Sequence, residues 1–577
     1  MTSSTDPQPL PPRRPRPGLW RGVITGLITA AVAVGVGHLV AGIADPPASP
    51  VVAVGSAAID LTPPPLKNFA ISAFGSNDKT TLEIGIIVVL AIFAAAIGVA
   101  AMRRLAYGLA GLAVFTVIGM LAALSRPTAS PAYAVPVLIG GAAGVVTMVL
   151  LVRAARPAGA PSPRDAADDL GWLGEGTGAP EPPTAPDESA EPAQPGASWV
   201  PAERGEDDTW RSARPGERAA VPADRRQFLV TGTVAVVAAG ASVLVGRALA
   251  ERTSVSQALA TLRLPSPLAP LPPLAAGDNL PIRGLSSFVT PNNSFYRVDT
   301  AIILPQVAPA GWQLRIHGMV AKEMTLTFDD LLRLPLVEDW ITLCCVSNPV
   351  GGPYIGNAKW LGTKIAPLLR AAGIRAGAEQ LLCTSVDGFT SGTPVQTVMD
   401  GRDALLAVGM NGSPLPVAHG FPVRLVVPGL YGYVSACKWI TDIKVTTWAS
   451  ESAYWAQRGW SQQAPIKTEC RIDVPSLSNT NLSAGKRQIA GVAWAQHKGV
   501  DAVEVRVDRG PWQHAKLASV PGIDTWRQWV LDWDATRGNH VIEARATDAT
   551  GYTQTAAQAP PEPNGATGYP TITVTVQ

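Results

Sequence analysis

Cysteine is scarce in this chain, with only Cys344, Cys345, Cys383, Cys437 and Cys470 among 577 residues. No two of them form a CxxC pair, which excludes a zinc ribbon and a thioredoxin-like redox site. No CxxCH occurs, so covalently attached haem is excluded as well. An odd, sparse set does not make a disulfide framework. Charge is also low: Asp, Glu, Lys and Arg make up 16% of the chain and the net charge is +2, which gives no case for a nucleic-acid partner. Histidine is nearly missing from the apolar first part, where His38 stands alone. A haem b in a helical bundle usually takes two axial ligands, so these helices read as an anchor or a docking surface and not as a cytochrome.

Long apolar runs dominate what is there. Leu19–Ile43, Glu83–Met102, Leu105–Leu124, Tyr133–Val152 and Phe228–Leu249 are each long enough to span a bilayer. Basic residues cluster on alternate sides of these runs. Arg13, Arg14 and Arg16 precede the first run and Arg21 lies at its start, Arg103 and Arg104 follow the second, and Arg153 and Arg156 follow the fourth. The intervening loops hold only Lys67 and Lys79, then Arg126. One topology satisfies every cluster: N-terminus in the cytoplasm, five crossings, and everything after about residue 250 outside. The expected division is a tail at 1–18, four spanning helices at 19–153, a disordered cytoplasmic linker at 154–224, a fifth helix at 225–250 and a tether at 251–279. The linker is rich in Pro, Gly, Ala, Asp and Glu and too poor in aliphatic residues to fold. Asp224-Arg-Arg-Gln-Phe-Leu229 resembles a twin-arginine export signal, and it equally suits two arginines anchoring the cytoplasmic end of a helix.

The rest of the chain reads as soluble α+β. Trp312, Leu314 and Ile316 alternate like a strand, and Thr327-Phe-Asp-Asp330 offers a helix start. A short apolar helix is expected at Leu361–Ala372, and Arg424-Leu-Val-Val-Pro428 reads as a buried strand. Near the C-terminus, Val503, Val505 and Val507, then Ile542, Ala544 and Ala546, then Ile572, Val574 and Val576 alternate with polar residues. Period two with Gly and Asp turns predicts a small antiparallel sandwich.

Four segments concentrate groups with chemical use. Cys345 lies in Ile341-Thr-Leu-Cys-Cys-Val-Ser-Asn348, placed by the sequence just past a helix and before the Gly-rich loop at Val350–Tyr354. Its thiolate could bind a soft metal or attack a carbonyl, and a buried inert cysteine is the commoner outcome. A cysteine hydrolase is the remote option, because no His–acid set accompanies the thiol. Thr290-Pro-Asn-Asn-Ser-Phe-Tyr-Arg-Val-Asp299 is polar with little core character. His419 and Arg424 close Met410–Arg424 just before the buried strand, and Leu430–Trp439 follows that strand. Converging Arg, Lys, His and backbone amides suit an anionic cofactor.

In this order, the four segments resemble the sulfite-oxidase-like family of molybdopterin oxidoreductases. The resemblance covers about residues 280–577, through the Asn-x-Phe-Tyr, Thr-Leu-x-Cys, Asn-Gly-x-Pro-Leu-Pro-x-x-His-Gly-x-Pro-x-Arg and Tyr-Gly…Lys-Trp motifs. It implies an α+β molybdopterin domain at 280–465 and an immunoglobulin-like domain at 466–577. It implies a molybdenum–molybdopterin cofactor with Cys345, not Cys344, as the metal's thiolate ligand. Asn293, Tyr296, Arg297, Thr384, His419, Arg424, Ala436, Cys437 and Lys438 match cofactor-contacting positions. It further implies oxygen-atom transfer, a small-molecule or sulfoxide substrate, a separate quinone or cytochrome as electron partner, and a homodimer through the C-terminal domain. The chain departs from sulfite oxidases proper at Asn348, which Pro349 and Val350 follow instead of a pair of arginines, and at Phe389, where a catalytic tyrosine is expected. These departures count against a dianionic substrate. The rival expectation is a membrane-tethered binding or assembly protein that keeps the fold without the metal.

Overall fold

The structure is a computed structural model. It describes residues 19–44, 48–62, 78–126, 129–155, 223–252, 255–301, 303–476 and 481–577. The tail at 1–18 and nearly all of the linker, 156–222, lie outside the described residues, as do Arg13, Arg14, Arg16, Lys67 and Arg156. The chain divides into two compact units, one within residues 1–35, 88–115 and 140–241 and the other within residues 36–87, 116–139 and 242–577.

Five helices among the described residues are long and apolar enough to cross a membrane. They are α1 (Leu19–Ala44), α3 (Asp78–Arg103), α4 (Leu105–Leu124), α5 (Ala134–Ala155) and α6 (Ala223–Arg252); the short α2 (Pro50–Leu61) was not expected. Its 12 residues are too few to span a bilayer, so hydropathy gave it no signal. In the first unit α1 and α3 meet at glycines. A Cβ on Gly26 would collide with the Ala94 carbonyl, so a side chain there would force the helices apart. Asp224–Leu229, the twin-arginine-like segment, is helical within α6.

The second unit continues through α7 (Ser256–Thr261) into the segment expected as a tether. That segment is packed. Leu268 N donates to Leu336 O at 2.8 Å and Leu271 N to the Glu338 carboxylate at 3.1 Å, while Leu262, Leu264 and Leu274 lie against the cores. Two sheets follow. The first runs β2 (Met324–Thr327), β1 (Gln313–Gly318), β10 (Ile440–Thr446), β5 (Gln380–Ser385), β6 (Thr390–Pro394), with only β1 and β10 parallel. The second is antiparallel and runs β3 (Leu336–Cys344), β4 (Ile355–Lys364), β7 (Leu405–Met410), β8 (Ser413–Pro414), with β9 (Arg424–Val426) also paired to β7.

Helix α8 (Phe328–Arg333) starts where the sequence placed it. Thr327 accepts from Asp330 N and the Asp330 carboxylate returns to Thr327 N, a capping box. Two local expectations are corrected. The residues before Cys345 form strand β3, not a helix; Ile341 and Thr342 are β-branched and pair with Ala358 and Asn357 across the hairpin. The helix expected at Leu361–Ala372 is α9 (Ile365–Ala372), because Leu361–Lys364 belong to β4 and pair with β7.

The C-terminal part holds two sheets. One is β11 (Glu469–Val474), β13 (Gly485–Trp494), β17 (Arg527–Ala535), β16 (Lys516–Leu517). The other is β12 (Asn481–Leu482), β19 (Thr571–Val576), β18 (Gly538–Asp548), β14 (Val500–Val507), β15 (Gln513–His514). Val503, Val505, Ile542, Ala544, Ile572 and Val574 turn into a core that Cys470, Ile489 and Trp529 of the opposing sheet complete. The alternation read from the sequence is the alternation of these strands.

Candidate functional site

Cys345 is the first residue beyond β3. Strand alternation sends consecutive side chains to opposite faces. Cys344 therefore joins the large core with Leu336, Ile355 and Val434, while Cys345 leaves it. The turn is braced by its own backbone. Cys345 N donates to Tyr354 O at 2.9 Å, Asn348 N to Cys345 O at 3.1 Å, and Tyr354 N to the Asn348 side-chain oxygen at 2.7 Å. The Cys345 Sγ lies 2.9 Å from Ser347 Oγ. Burial raises its thiol pKa, while the Ser347 bond and the Lys438 cation oppose that rise. At Cys344 burial raises the thiol far higher, leaving it inert at neutral pH.

Around Cys345 three further segments converge. Tyr296 stacks on Phe295 at 5.2 Å and tilts against Tyr354 at 6.4 Å. Burial raises its hydroxyl pKa well above 10, with the nearby Cys345 and Cys344 adding to this and Arg424 opposing it. His419 shares a hydrogen bond of 2.9 Å with Asn292 O through Nε2 and meets the edge of Phe295 at 5.5 Å. Burial lowers its pKa to about 4, so it is neutral at pH 7 and its Nε2 is the donor to that carbonyl.

Arg424 is 4% exposed and carries the charge that most needs explaining. Its guanidinium donates to His419 O at 3.1 Å, Ala436 O at 3.3 Å and Leu425 O at 3.4 Å, and it lies over the Trp360 ring at 5.0 Å. No carboxylate pairs with it among the described residues. Burial lowers its pKa from 12.5 to about 10. Lys438 is buried too, but its Nζ reaches Asp299 at 2.8 Å and Ala418 O at 3.2 Å. Burial lowers that amine to about 8, and Asp299 keeps it from falling further. Asp299 also binds Arg297 at 2.8 Å and so ties two of these cations together. Trp439, next in the chain, has φ +50, and its indole N–H holds Val417 O at 3.0 Å. A non-glycine residue in that region is strained, and the packing around the loop must hold it there.

The residues singled out in the sequence thus fall into groups. Cys345, Tyr296, His419, Arg424 and Lys438 share one environment. Ala436 and Cys437 contribute main chain to it: the Ala436 carbonyl accepts from Arg424, and Cys437 O accepts from Leu425 N at 2.8 Å while its thiol stays in the core. Arg297 and Asn293 are exposed at its edge, where the Asn293 oxygen accepts only the neighbouring Ser294 hydroxyl at 3.2 Å. Thr384 is set apart in the first sheet, where its carbonyl accepts from Thr441 at 3.4 Å. Sequence reasoning overlooked Asp299, Ser347 and Trp360. Asp299 closes the polar segment it named, but its partner Lys438 is 139 residues away.

The donor set suits one kind of group. No cluster of three or more His, Cys, Asp and Glu that could hold a metal occurs among the described residues. A metal on Cys345 would need its remaining ligands from a cofactor, and a buried Arg424 without a counter-ion needs an anion. A molybdenum held by an anionic pterin meets both needs with these residues.

These features define a molybdopterin-binding oxidoreductase domain, and residues 301–455 match the family model described as an oxidoreductase molybdopterin binding domain. Mitochondrial sulfite oxidase of Rattus norvegicus is 29% identical over 291 residues, covering 42% of this chain and 53% of that one. An uncharacterized oxidoreductase, YuiH of Bacillus subtilis, is 31% identical over 149 residues, covering 26% of this chain and 72% of that one. The sulfane dehydrogenase SoxCD from Paracoccus pantotrophus shares 23% identity at a TM-score of 0.45, covering 50% of this chain and 82% of that one. The chain belongs to the sulfite-oxidase-like family of molybdopterin oxidoreductases. It carries the molybdopterin-binding domain of that family, and it spans about half the length, 53%, of the mammalian mitochondrial relatives it matches.

Proposed function

We propose that the protein is a membrane-anchored oxidoreductase that carries out oxygen-atom transfer outside the cytoplasm. The reaction is reduction of an S- or N-oxide or oxidation of a sulfite-like anion. One observation carries the reading: a cysteine set apart from the large core and a buried guanidinium that no described carboxylate pairs with both act on the Tyr296 hydroxyl, so the two share one environment. When bound, the cofactor supplies two-electron redox chemistry at an exchangeable oxygen position. The chain's own residues do the rest. Cys345 anchors the metal, with Ser347 holding its sulfur in place. Arg424, Lys438 and the neutral His419 grip the anionic end, aided by the main chain at Ala436 and Cys437. Tyr296 closes one side, and Asn293 and Arg297 make outer contacts.

The turn after Cys345 supports a substrate less charged than sulfite. Asn348 is followed by Pro349 and Val350, and Phe389 packs against Tyr454 at 5.7 Å where a hydroxyl is expected. A dianion needs cations in a dry pocket, and these positions supply none. This favours a neutral oxide reduced with electrons from a separate quinone or cytochrome. The five apolar helices support an anchor with the N-terminus inside. The two C-terminal sheets support an immunoglobulin-like sandwich. The test is molybdenum content of the purified chain measured with a dye-linked screen of S-oxides, N-oxides and sulfite. Near-stoichiometric metal and turnover of an oxide are expected. A metal-free, inactive chain would refute the reading in favour of a binding protein.

A further inference from the structure

Behind the metal loop, on the side away from the cofactor residues, the C-terminal domain presents an unused carboxyl. In β11, Cys470 and Ile472 face the sandwich core, so period two turns Glu469 the opposite way. Its cross-strand partner is Trp494, which with Val492 and Trp526 belongs to the core that contains Cys344 and Tyr431. Glu469 is 4% exposed. Its Oε1 has no hydrogen-bond partner, and neither has the indole nitrogen of Trp494 facing the same side. A buried carboxyl oxygen without a partner is costly, and such groups concentrate where chemistry uses them.

Groups that feel its charge lie in two directions. Toward the surface, Lys467 donates from Nζ to Asn564 Oδ1 at 3.1 Å and to Gly565 O at 2.5 Å, and Asn564 is exposed. Gly565 has φ +99, and a Cβ there would collide with the Tyr431 hydroxyl, so this turn is pressed onto the tyrosine. Toward the metal loop, Cys344 donates from Sγ to the Cys345 carbonyl at 3.5 Å. The groups on the Glu469 side are Lys467, Tyr431 and Cys344, with Arg471 acting on Cys344, while Cys470 feels the carboxylate from the opposite face of the strand. Burial raises the Glu469 carboxyl from 4.5 to about 8, with Lys467 pulling it back.

The reaction class obliges the site to trade protons. Reducing an S- or N-oxide consumes two electrons from the external donor and two protons, breaks the S–O or N–O bond and releases water. Oxidising a sulfite-like anion takes oxygen from water and gives back two protons and two electrons. Uncompensated charge is expensive in a buried site. We propose that Glu469 is the proton-exchanging residue of this oxidoreductase: its carboxyl, offered by the C-terminal sheet to the back of the Cys344–Cys345 turn, gains and loses a proton in step with the charge on the metal side, and Lys467 links it to the surface at Asn564. It acts through Cys344 and Tyr431 and touches no reacting atom, so it is a positioning residue. The proposal rests on the oxidoreductase reading above.

The test uses the full chain in detergent, with and without cofactor, followed by infrared spectroscopy. In both forms a protonated-carboxyl stretch should vanish on raising the pH, with a midpoint near 8. It should be missing from Glu469→Gln. Lys467→Met, a change at a half-buried side chain that leaves the carboxyl in place, should move the midpoint up and covers the case in which the Gln variant fails to fold. In the loaded chain, reduction at fixed pH should change the same band. In a Lys438→Arg background, which removes the other group that titrates near 8, turnover should lose its inflection near pH 8 in Glu469→Gln and regain one in Glu469→Asp. A component with its midpoint near 8 that persists in the Gln variant beside the one Asp339 gives near 7, a midpoint indifferent to Lys467, or a carboxyl silent to reduction in a molybdenum-loaded chain would overturn the proposal. A chain without molybdenum would overturn the enzyme reading instead.

Discussion

Arg424→Met separates a residue kept for its ligand from one kept for the fold. In the cofactor-free protein the guanidinium is a burden: lowering its pKa from 12.5 to about 10 corresponds to roughly 3 kcal/mol against burying the charged form. Methionine removes that term at similar volume. It also removes three long bonds to carbonyls, together about 2–3 kcal/mol, and the stacking on Trp360, about 1 kcal/mol. The two sides nearly cancel, so the cofactor-free variant should melt within a few degrees of the parent. The loaded protein should behave differently. Two charge-assisted bonds to an anionic cofactor, at about 1.5–3 kcal/mol each, amount to roughly a 100- to 10,000-fold loss of affinity. The assay is thermal denaturation of both forms with molybdenum and pterin measured after dialysis. A cofactor-free variant destabilised by more than about 4 kcal/mol would make Arg424 a structural pin. Full retention of cofactor would refute its role as the anion's partner.

Cys345→Ser should abolish turnover and the Mo(V) paramagnetic signal, whereas Cys344→Ser should keep both; equal loss in the two variants would contradict the assignment. Lys438 holds its proton below about 8, so cofactor retention should be full at pH 6 and fall as pH rises through 8. Lys438→Arg should remove that dependence, and Asp299→Asn, by deleting the opposing charge, should bring the fall to lower pH; dialysis at stepped pH reads all three. For topology, reporters fused within residues 156–222 should register as cytoplasmic and those fused after residue 577 as extracytoplasmic, and agreement of the two would defeat the five-crossing arrangement.

The parts of the molecule set by short-range patterns were legible from the sequence. Hydropathy marked the five long helices, the Thr327–Asp330 pair marked a helix start, and alternation at Val503–Val507 and Ile542–Ala546 marked strands. The strand leading to Cys345 was misread because Ile341-Thr-Leu-Cys-Cys-Val is a short apolar run, and such runs fit strand and helix alike until a partner such as β4 is known. Motifs named Arg424, His419 and Lys438, yet nothing local revealed that Lys438 answers to Asp299 across 139 residues or that Arg424 lies over Trp360. Glu469 was invisible for the same reason. A glutamate early in a strand carries no mark of burial until the sheet has a second domain in front of it.

The opposite facing of Cys344 and Cys345 makes the choice of the proposed metal ligand a matter of parity. The two thiols are identical in kind and adjacent in the chain; only the odd or even count of residues along β3 decides which one leaves the core. Deleting one residue within that strand would turn Cys344 outward in place of its neighbour. On the proposed assignment the hairpin with β4 would set the coordination sphere as firmly as the sulfur does, and the chain holds a second thiol that is out of phase by a single step.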